Sequence, residues 1–356
     1  MRHTEMEYIK MMKFENEAAM IAFGKKLGQA LQPNMIITLN GELGAGKTTL
    51  TKGIGAGLGV KRVINSPTFT ILKSYEGRLT LNHFDAYRLE GQDDDLGFEE
   101  IFDDGGVCVI EWPEFISDII PKEHLDITIY KNEDNTRSLE LKPTGKKYED
   151  LVNAMKMTLV MDTSNQYLGI GLYRGDEKLE AILVNESKRQ SEYAIPKLQE
   201  ILEHQNVSLM DIDEMVITKG PGSYTGVRVA MTIAKTLAVI APVKIKVVSS
   251  LAAYAGNSKA ISIIDARSHK LFVGVFDQGK NIVEDQLMSI DEFEDLRKRY
   301  PDYKIVGDGE LVGVESDNSQ LVDNIFALSK KEEPVEQPDL LVPQYIKEVE
   351  AKKACY

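Results

Sequence analysis

The stretch "MIITLNGELGAGKTTL", residues 35–50, constrains the fold of this chain more than any other. It runs a short apolar segment with β-branched residues directly into glycines, and then into a lysine and a threonine. Such a run reads as a buried strand. Gly41, Gly44 and Gly46 remove side chains where the backbone must curl its N–H groups inward around an anion. In the pattern GxxxxGK[ST], Lys47 reaches the outer phosphates and Thr48 offers its hydroxyl to Mg2+, while the following helix points its positive end at the phosphates. A glycine-rich turn followed by a solvated lysine is the bland alternative, and the flanking strand and helix make it the rarer one. The context predicts an α/β fold around a phosphate-binding loop, with ATP or ADP and Mg2+ as cofactors.

Such a loop also needs a carboxylate for the metal and a group to orient the attacking water. Asp85 in "HFDAYRL" and Glu111 in "VCVIEWPE" stand at the ends of the strand candidates "LTLNHFDAY" and "VCVIEW", where such groups sit in open α/β sheets. Either acid alone is as readily a solvated carboxylate. Trp112, the one tryptophan, reads as a half-buried anchor that, beside a metal ligand, senses nucleotide state. The same half predicts a helix over "ENEAAMIAFGKKLGQAL", with Ala19, Ile21, Ala22, Leu27 and Leu31 near one face and Pro33 and Asn34 breaking it. "SLELKP" reads as a late edge strand, and "DDD" at 93–95 as a solvated turn.

A chain of 356 residues exceeds one typical core, so two domains are expected. "KPTGKKYEDLVNAMKM" is a charged connector with no Gly/Ser or Pro-rich run, hence short and helical rather than a flexible tether. It places the boundary near residue 155, giving domains 1–155 and 156–356. Beyond it, "LVMDTSNQYLGIGLYRGDEKLEAILV" and "SIIDARSHKLFVGVFDQGKNIVEDQLM" share one plan of strand, Asp, polar turn, strand, tight turn and strand, which suggests a duplicated α/β domain. In "KGPGSYTGVRVAMTIAKTLAVI", Gly220, Pro221, Gly222 and Gly226 read as a structural turn into a helix carrying Ala230, Ala234 and Ala238 on one face, more readily than as an anion loop.

Composition excludes several classes. Hydrophobic residues at 43% and charged residues at 28% are ordinary for a globular protein. No run approaches the length of a membrane helix and "MRHTEMEYIK" lacks a signal-peptide core, so a soluble cytoplasmic protein with no membrane contact is expected. The net charge of −14 argues against a broad grip on nucleic acid, so an RNA substrate would need cationic surface from a partner. Cys108 and Cys355 fit neither a disulfide framework nor a metal site and read as buried or tail thiols.

In order, "NGELGAGKTTL", "SPTFT", "HFDAYRL", "GFEEIF" and "VCVIEWPE" resemble the TsaE (YjeE) family, P-loop ATPases required for threonylcarbamoyladenosine in bacterial tRNA, over roughly residues 10–145. The resemblance implies that Gly44, Ala45, Gly46, Lys47, Thr48 and Thr49 bind nucleotide, with Glu17 and Arg137 as further contacts. It also implies that Thr48, Glu111 and Asp85 serve the metal, that Lys47, Asp85 and Glu111 are catalytic, and that Thr68 lies on a switch segment. "LVMDTS", "SEYAIPKLQEIL", "KGPGSYTGVRVAMTIAKTLA" and "IDARSHKLFVGVF" look like TsaB, of the actin/Hsp70-like, ribonuclease H-like superfamily, over roughly residues 157–345.

TsaB's catalytic relative TsaD holds a metal with an HxxxH pair. His3, His83, His124, His204 and His269 contain no such spacing. The resemblance therefore implies a non-catalytic scaffold that binds TsaD through helices near residues 191–203 and 224–239, with tRNA met through the complex and a second copy as a further candidate partner. Ile195, Leu198, Ile201 and Leu202 at helical spacing support an interface there, although such a stripe is as often core. Two other classes compete. A P-loop small-molecule kinase would need an acceptor-binding cluster beyond Arg62 and Arg88, and a metalloprotease would need ligands from carboxylates alone.

Overall fold

The computed structural model describes residues 10–90, 97–185, 189–241 and 243–346. His3, the acidic run at 93–95 and Cys355 lie outside the described residues. The chain divides into two units, Met1–Met155 and Lys156–Tyr356.

In the first unit the elements are β1 (Lys10–Phe14), α1 (Glu17–Ala30), β2 (Met35–Asn40), α2 (Lys47–Gly57), β3 (Leu72–Tyr75), β4 (Leu81–Asp85), α3 (Phe98–Phe102), β5 (Val107–Glu111), β6 (Leu125–Lys131), β7 (Arg137–Pro143) and α4 (Lys146–Ala154). They form one sheet in the order β1-β7-β6-β2-β5-β4-β3, with β6, β2, β5 and β4 parallel. Strand β2 is central and covered on both faces, which is why its sequence is apolar without alternation. Met35, Ile37 and Leu39 pack with α1, α2 and α4. Ile36 packs on the other face with Phe84, Phe98, Phe102, Cys108 and Ile110. Burial raises the Cys108 thiol to about 12, so it behaves as a small apolar side chain.

Two expectations are corrected here. "SLELKP" is not an edge: β7 is flanked by β6 and by β1, an N-terminal strand that pairs Met12 with Leu139. The buried face of α1 is Met20, Phe23, Gly24, Leu27 and Gly28, while Ala22 is exposed. The cause is close helix packing. A Cβ on Gly24 would meet the Leu50 carbonyl oxygen at 2.8 Å and Gly53 Cα at 3.0 Å, and Gly28 faces Ile54 and Gly57 in the same way. Glycines four residues apart on both helices therefore form the contact, and an apolar count passes over them.

The connector is helical, as expected, but it is a built part of the first unit. Tyr148 on α4 is fully buried and its hydroxyl oxygen accepts the Ile36 N–H at 2.7 Å.

The second unit contains β8 (Met157–Asp162), β9 (Tyr167–Arg174), β10 (Glu177–Asn185), α5 (Gln190–His204), β11 (Glu214–Thr218), α6 (Tyr224–Ile240), β12 (Lys244–Val248), α7 (Ser250–Ala255), β13 (Ala260–Asp265), β14 (Lys270–Asp277), β15 (Lys280–Ser289), α8 (Ile290–Arg299), β16 (Lys304–Gly307) and α9 (Leu321–Ser329). Its two sheets have the orders β10-β9-β8-β11-β12 and β15-β14-β13-β16. Each is an antiparallel meander whose first strand pairs in parallel with a later one, β8 with β11 and β13 with β16. The echo in the sequence is thus a duplicated plan, and the unit has the expected duplicated α/β architecture.

The turn before α6 is structural. A Cβ on Gly222 or Gly226 would collide with the backbone carbonyls of Ser164 and Thr163, and the Thr163 hydroxyl donates to the Gly226 carbonyl at 2.7 Å. The stripe on α5 is mostly core. Leu198, Ile201 and Leu202 are 4%, 0% and 6% exposed, and only Ile195 faces out. That face closes on the helix's own sheet and on α6, so the periodicity reports packing. Among the described residues no helix is long and apolar enough to cross a membrane.

Candidate nucleotide site

The parallel register of the central strands aligns three C-terminal ends at one place. Asp85 on β4 lies opposite Glu111 on β5, and Glu111 lies opposite Leu39 on β2, just before the glycine loop. Gly41, Gly44 and Gly46 take φ of +141°, +77° and +115°, a backbone region that side chains resist. Gly46 is also sterically fixed, since a Cβ there would stand 2.6 Å from the methyl of buried Met20. It caps α2, so the helix starts at Lys47 with its N–H groups toward the loop.

Lys47 is folded back into this loop. Its ammonium donates to the Gly41 carbonyl at 2.5 Å and the Glu42 carbonyl at 3.2 Å, and stands 3.7 Å from the centroid of the Trp112 ring. Burial lowers its pKa, opposed by Glu111 and Asp85. The loop's own carbonyls thus hold the cation where phosphate oxygens would replace them. Trp112 takes φ +59°, unusual for a bulky residue, and touches Tyr87 with ring centroids 5.1 Å apart.

Thr48 donates its hydroxyl to Glu111 Oε1 at 2.9 Å. Asp85 is buried: its Oδ2 accepts from Thr68 Oγ1 at 2.5 Å and Ser66 Oγ at 3.1 Å, and its Oδ1 accepts the Tyr87 N–H at 3.2 Å. Lys73 holds the same segment by donating to the Ser66 carbonyl at 2.9 Å. Glu17 accepts from Thr49 Oγ1 at 3.3 Å. Arg137 donates from Nε to the Ala45 carbonyl at 2.8 Å and from one terminal nitrogen to the carbonyls of Asn135 and Thr136. Every candidate residue from Glu17 to Arg137 therefore gathers at this one loop.

Sequence reasoning missed His83. It is fully buried and donates from Nε2 to Glu111 Oε1 at 2.8 Å. Strand alternation held the signal, because residues two apart on β4 share a face and His83 precedes Asp85 by two.

The donor set fits a magnesium nucleotide. A hydroxyl and two carboxylates converge beside a cradle of backbone N–H groups, all hard oxygen donors of the kind Mg2+ takes.

A family model described as "Threonylcarbamoyl adenosine biosynthesis protein TsaE" matches residues 14–139. The TsaE protein of Bacillus subtilis (strain 168) is 45% identical over 131 residues, covering 36% of this chain and 83% of the relative. The chain belongs to the TsaE family. Its TsaE half is followed by one similar to the TsaB protein of the same organism, 37% identical over 152 residues, which cover 40% of this chain and 66% of that relative. This makes the chain a TsaE half joined to a TsaB-like half. A crystal structure of YdiB from Bacillus subtilis is 35% identical, covers 42% of this chain and 95% of its own, and has a TM-score of 0.38. A second family model, "tRNA N6-adenosine threonylcarbamoyltransferase" (TsaD), matches residues 185–309.

Proposed function

We propose that the TsaE half hydrolyses ATP and the TsaB-like half docks TsaD, so that nucleotide turnover resets the assembly that places threonylcarbamoyl on tRNA adenosine. Membership of the TsaE family and the TsaB-like rear half support the role in threonylcarbamoyladenosine formation. The single observation behind hydrolysis is the convergence of Lys47, Thr48, Asp85 and Glu111 on one glycine cradle.

In this reading the loop N–H groups and Lys47 bind the phosphates. Thr48 and Glu111 would hold Mg2+, which would supply neutralisation of the charge on the phosphoryl oxygens. Asp85, fixed by Ser66 and Thr68, orients water, and the segment of half-buried Thr68 and exposed Phe69 reports whether nucleotide is present. Arg137 is committed to the loop's own backbone, so it braces the cradle, and a partner completes the charge stabilisation. Hydrolysis is therefore expected to be slow for the chain alone and faster with TsaD; equal rates in a steady-state assay would refute partner activation.

Trp112 supplies a readout. Phosphate binding draws Lys47 off the indole face, so Mg-ADP is expected to change the emission of the sole tryptophan, and Lys47→Met to abolish that change. An unaltered spectrum on saturation would place the nucleotide elsewhere.

The TsaD match favours a second reading, in which the rear unit performs the transfer. Against it, no two of the five histidines have the HxxxH spacing, and among the described residues no group of three His, Cys, Asp or Glu is placed to hold a metal. Transfer to tRNA by the purified chain without TsaD would establish it.

A further inference from the structure

Glu111 Oε1 carries two donors, and they are not equivalent. Thr48 is a half-exposed residue on the loop helix whose hydroxyl is shared with the metal in the reading above. His83 sits within the sheet, paired with Lys73 on β3 and Val109 on β5, and has no solvent exposure. Its imidazole cannot swing away without disturbing both neighbouring strands.

We propose that His83 is the positioning residue for the metal-binding carboxylate. It fixes Oε1 of Glu111, so that Oε2 remains open for Mg2+ or its water even when the Thr48 hydroxyl is engaged by the metal. The inference rests on Glu111 being a metal ligand. Metal-binding carboxylates are commonly held by an outer hydrogen-bond partner of this kind.

The other ring nitrogen supports this assignment. His83 Nδ1 is buried with no hydrogen-bond partner. A bare buried nitrogen costs stability, so packing alone does not account for a histidine here, where leucine or methionine would fill the volume. With no acceptor at Nδ1, the one hydrogen bond of the ring is the one from Nε2 to the carboxylate.

The test compares His83→Met, which removes the donor at similar length, with His83→Gln, whose amide nitrogen reaches the place of Nε2. His83→Asn, polar but too short, is a second loss variant should the methionine protein fail to fold. In the full chain, ADP affinity is followed through Trp112 emission with Mg2+ and with EDTA, so no turnover is needed. Loss variants are expected to weaken Mg2+-dependent binding about 10- to 100-fold, to leave binding in EDTA unchanged, and to be rescued by glutamine.

Wild-type Mg2+ dependence in either folded loss variant, or a glutamine variant as weak as methionine, overturns the proposal. Glu111→Ala separates the two levels. If it keeps full Mg2+ dependence, the assignment of Glu111 itself is wrong; if it loses it while the His83 variants do not, only the role of His83 falls.

Discussion

Changing Lys47 to alanine is expected to lower ATP hydrolysis by about a hundred- to a thousand-fold, the loss that follows when one preorganised donor to developing negative charge is removed. The ammonium now rests on the Gly41 and Glu42 carbonyls and against Trp112, at the mouth of a cradle whose glycines are held in left-handed backbone. Alanine leaves that backbone intact, so the melting temperature should change little while nucleotide chemistry collapses. With TsaD, threonylcarbamoyl-adenylate and tRNA, repeated rounds of transfer should fall with hydrolysis, whereas the first round survives. Equal multi-turnover transfer by Lys47→Ala and unaltered chain would show that hydrolysis serves some other end.

Changing Tyr148 to alanine should destabilise the first unit by about 3–5 kcal/mol, the usual cost of deleting a large buried aromatic side chain. Two terms combine. The ring is fully buried on α4 against the core built on β2, and its hydroxyl takes the Ile36 N–H, which would otherwise be left without that partner. Burial also raises the phenol to about 12, so it remains a neutral hydrogen-bonding group across the physiological range. Calorimetry should show the transition of this unit lowered by roughly 10 °C. Tyr148→Phe, which keeps the ring, should recover most of it. An alanine variant melting like the unaltered chain would mean that α4 is not structurally part of this unit.

What could be read from the sequence was what ligand chemistry and strand burial impose directly. Gly41, Gly44 and Gly46 are demanded by backbone curvature, and a central strand such as β2 must be apolar on both faces, so both were visible in one line of text. The rear duplication was visible because hairpin turns punctuate it in the same places. The misses depend on partners distant in sequence. Gly24 and Gly28 carry no hydrophobic signal, and their meaning appears only when Gly53 and Gly57 lie across from them.

Strand β1 is found through its partner β7, since "KMMKF" alone reads as neither strand nor helix. His83 acquires a role only when the register brings Glu111 beside it. On α5, Leu198 and Ile201 show how a helical stripe announces burial without naming what buries it.

The helix that ends the first unit stops at Ala154 and the first strand of the second starts at Met157, so the seam amounts to Met155 and Lys156. With Tyr148, Leu151 and Val152 sunk in the first unit, none of α4 is available as slack. Ribosomal synthesis therefore issues the two halves of this polypeptide in a fixed one-to-one ratio, each molecule of one arriving already joined to a molecule of the other by a two-residue step.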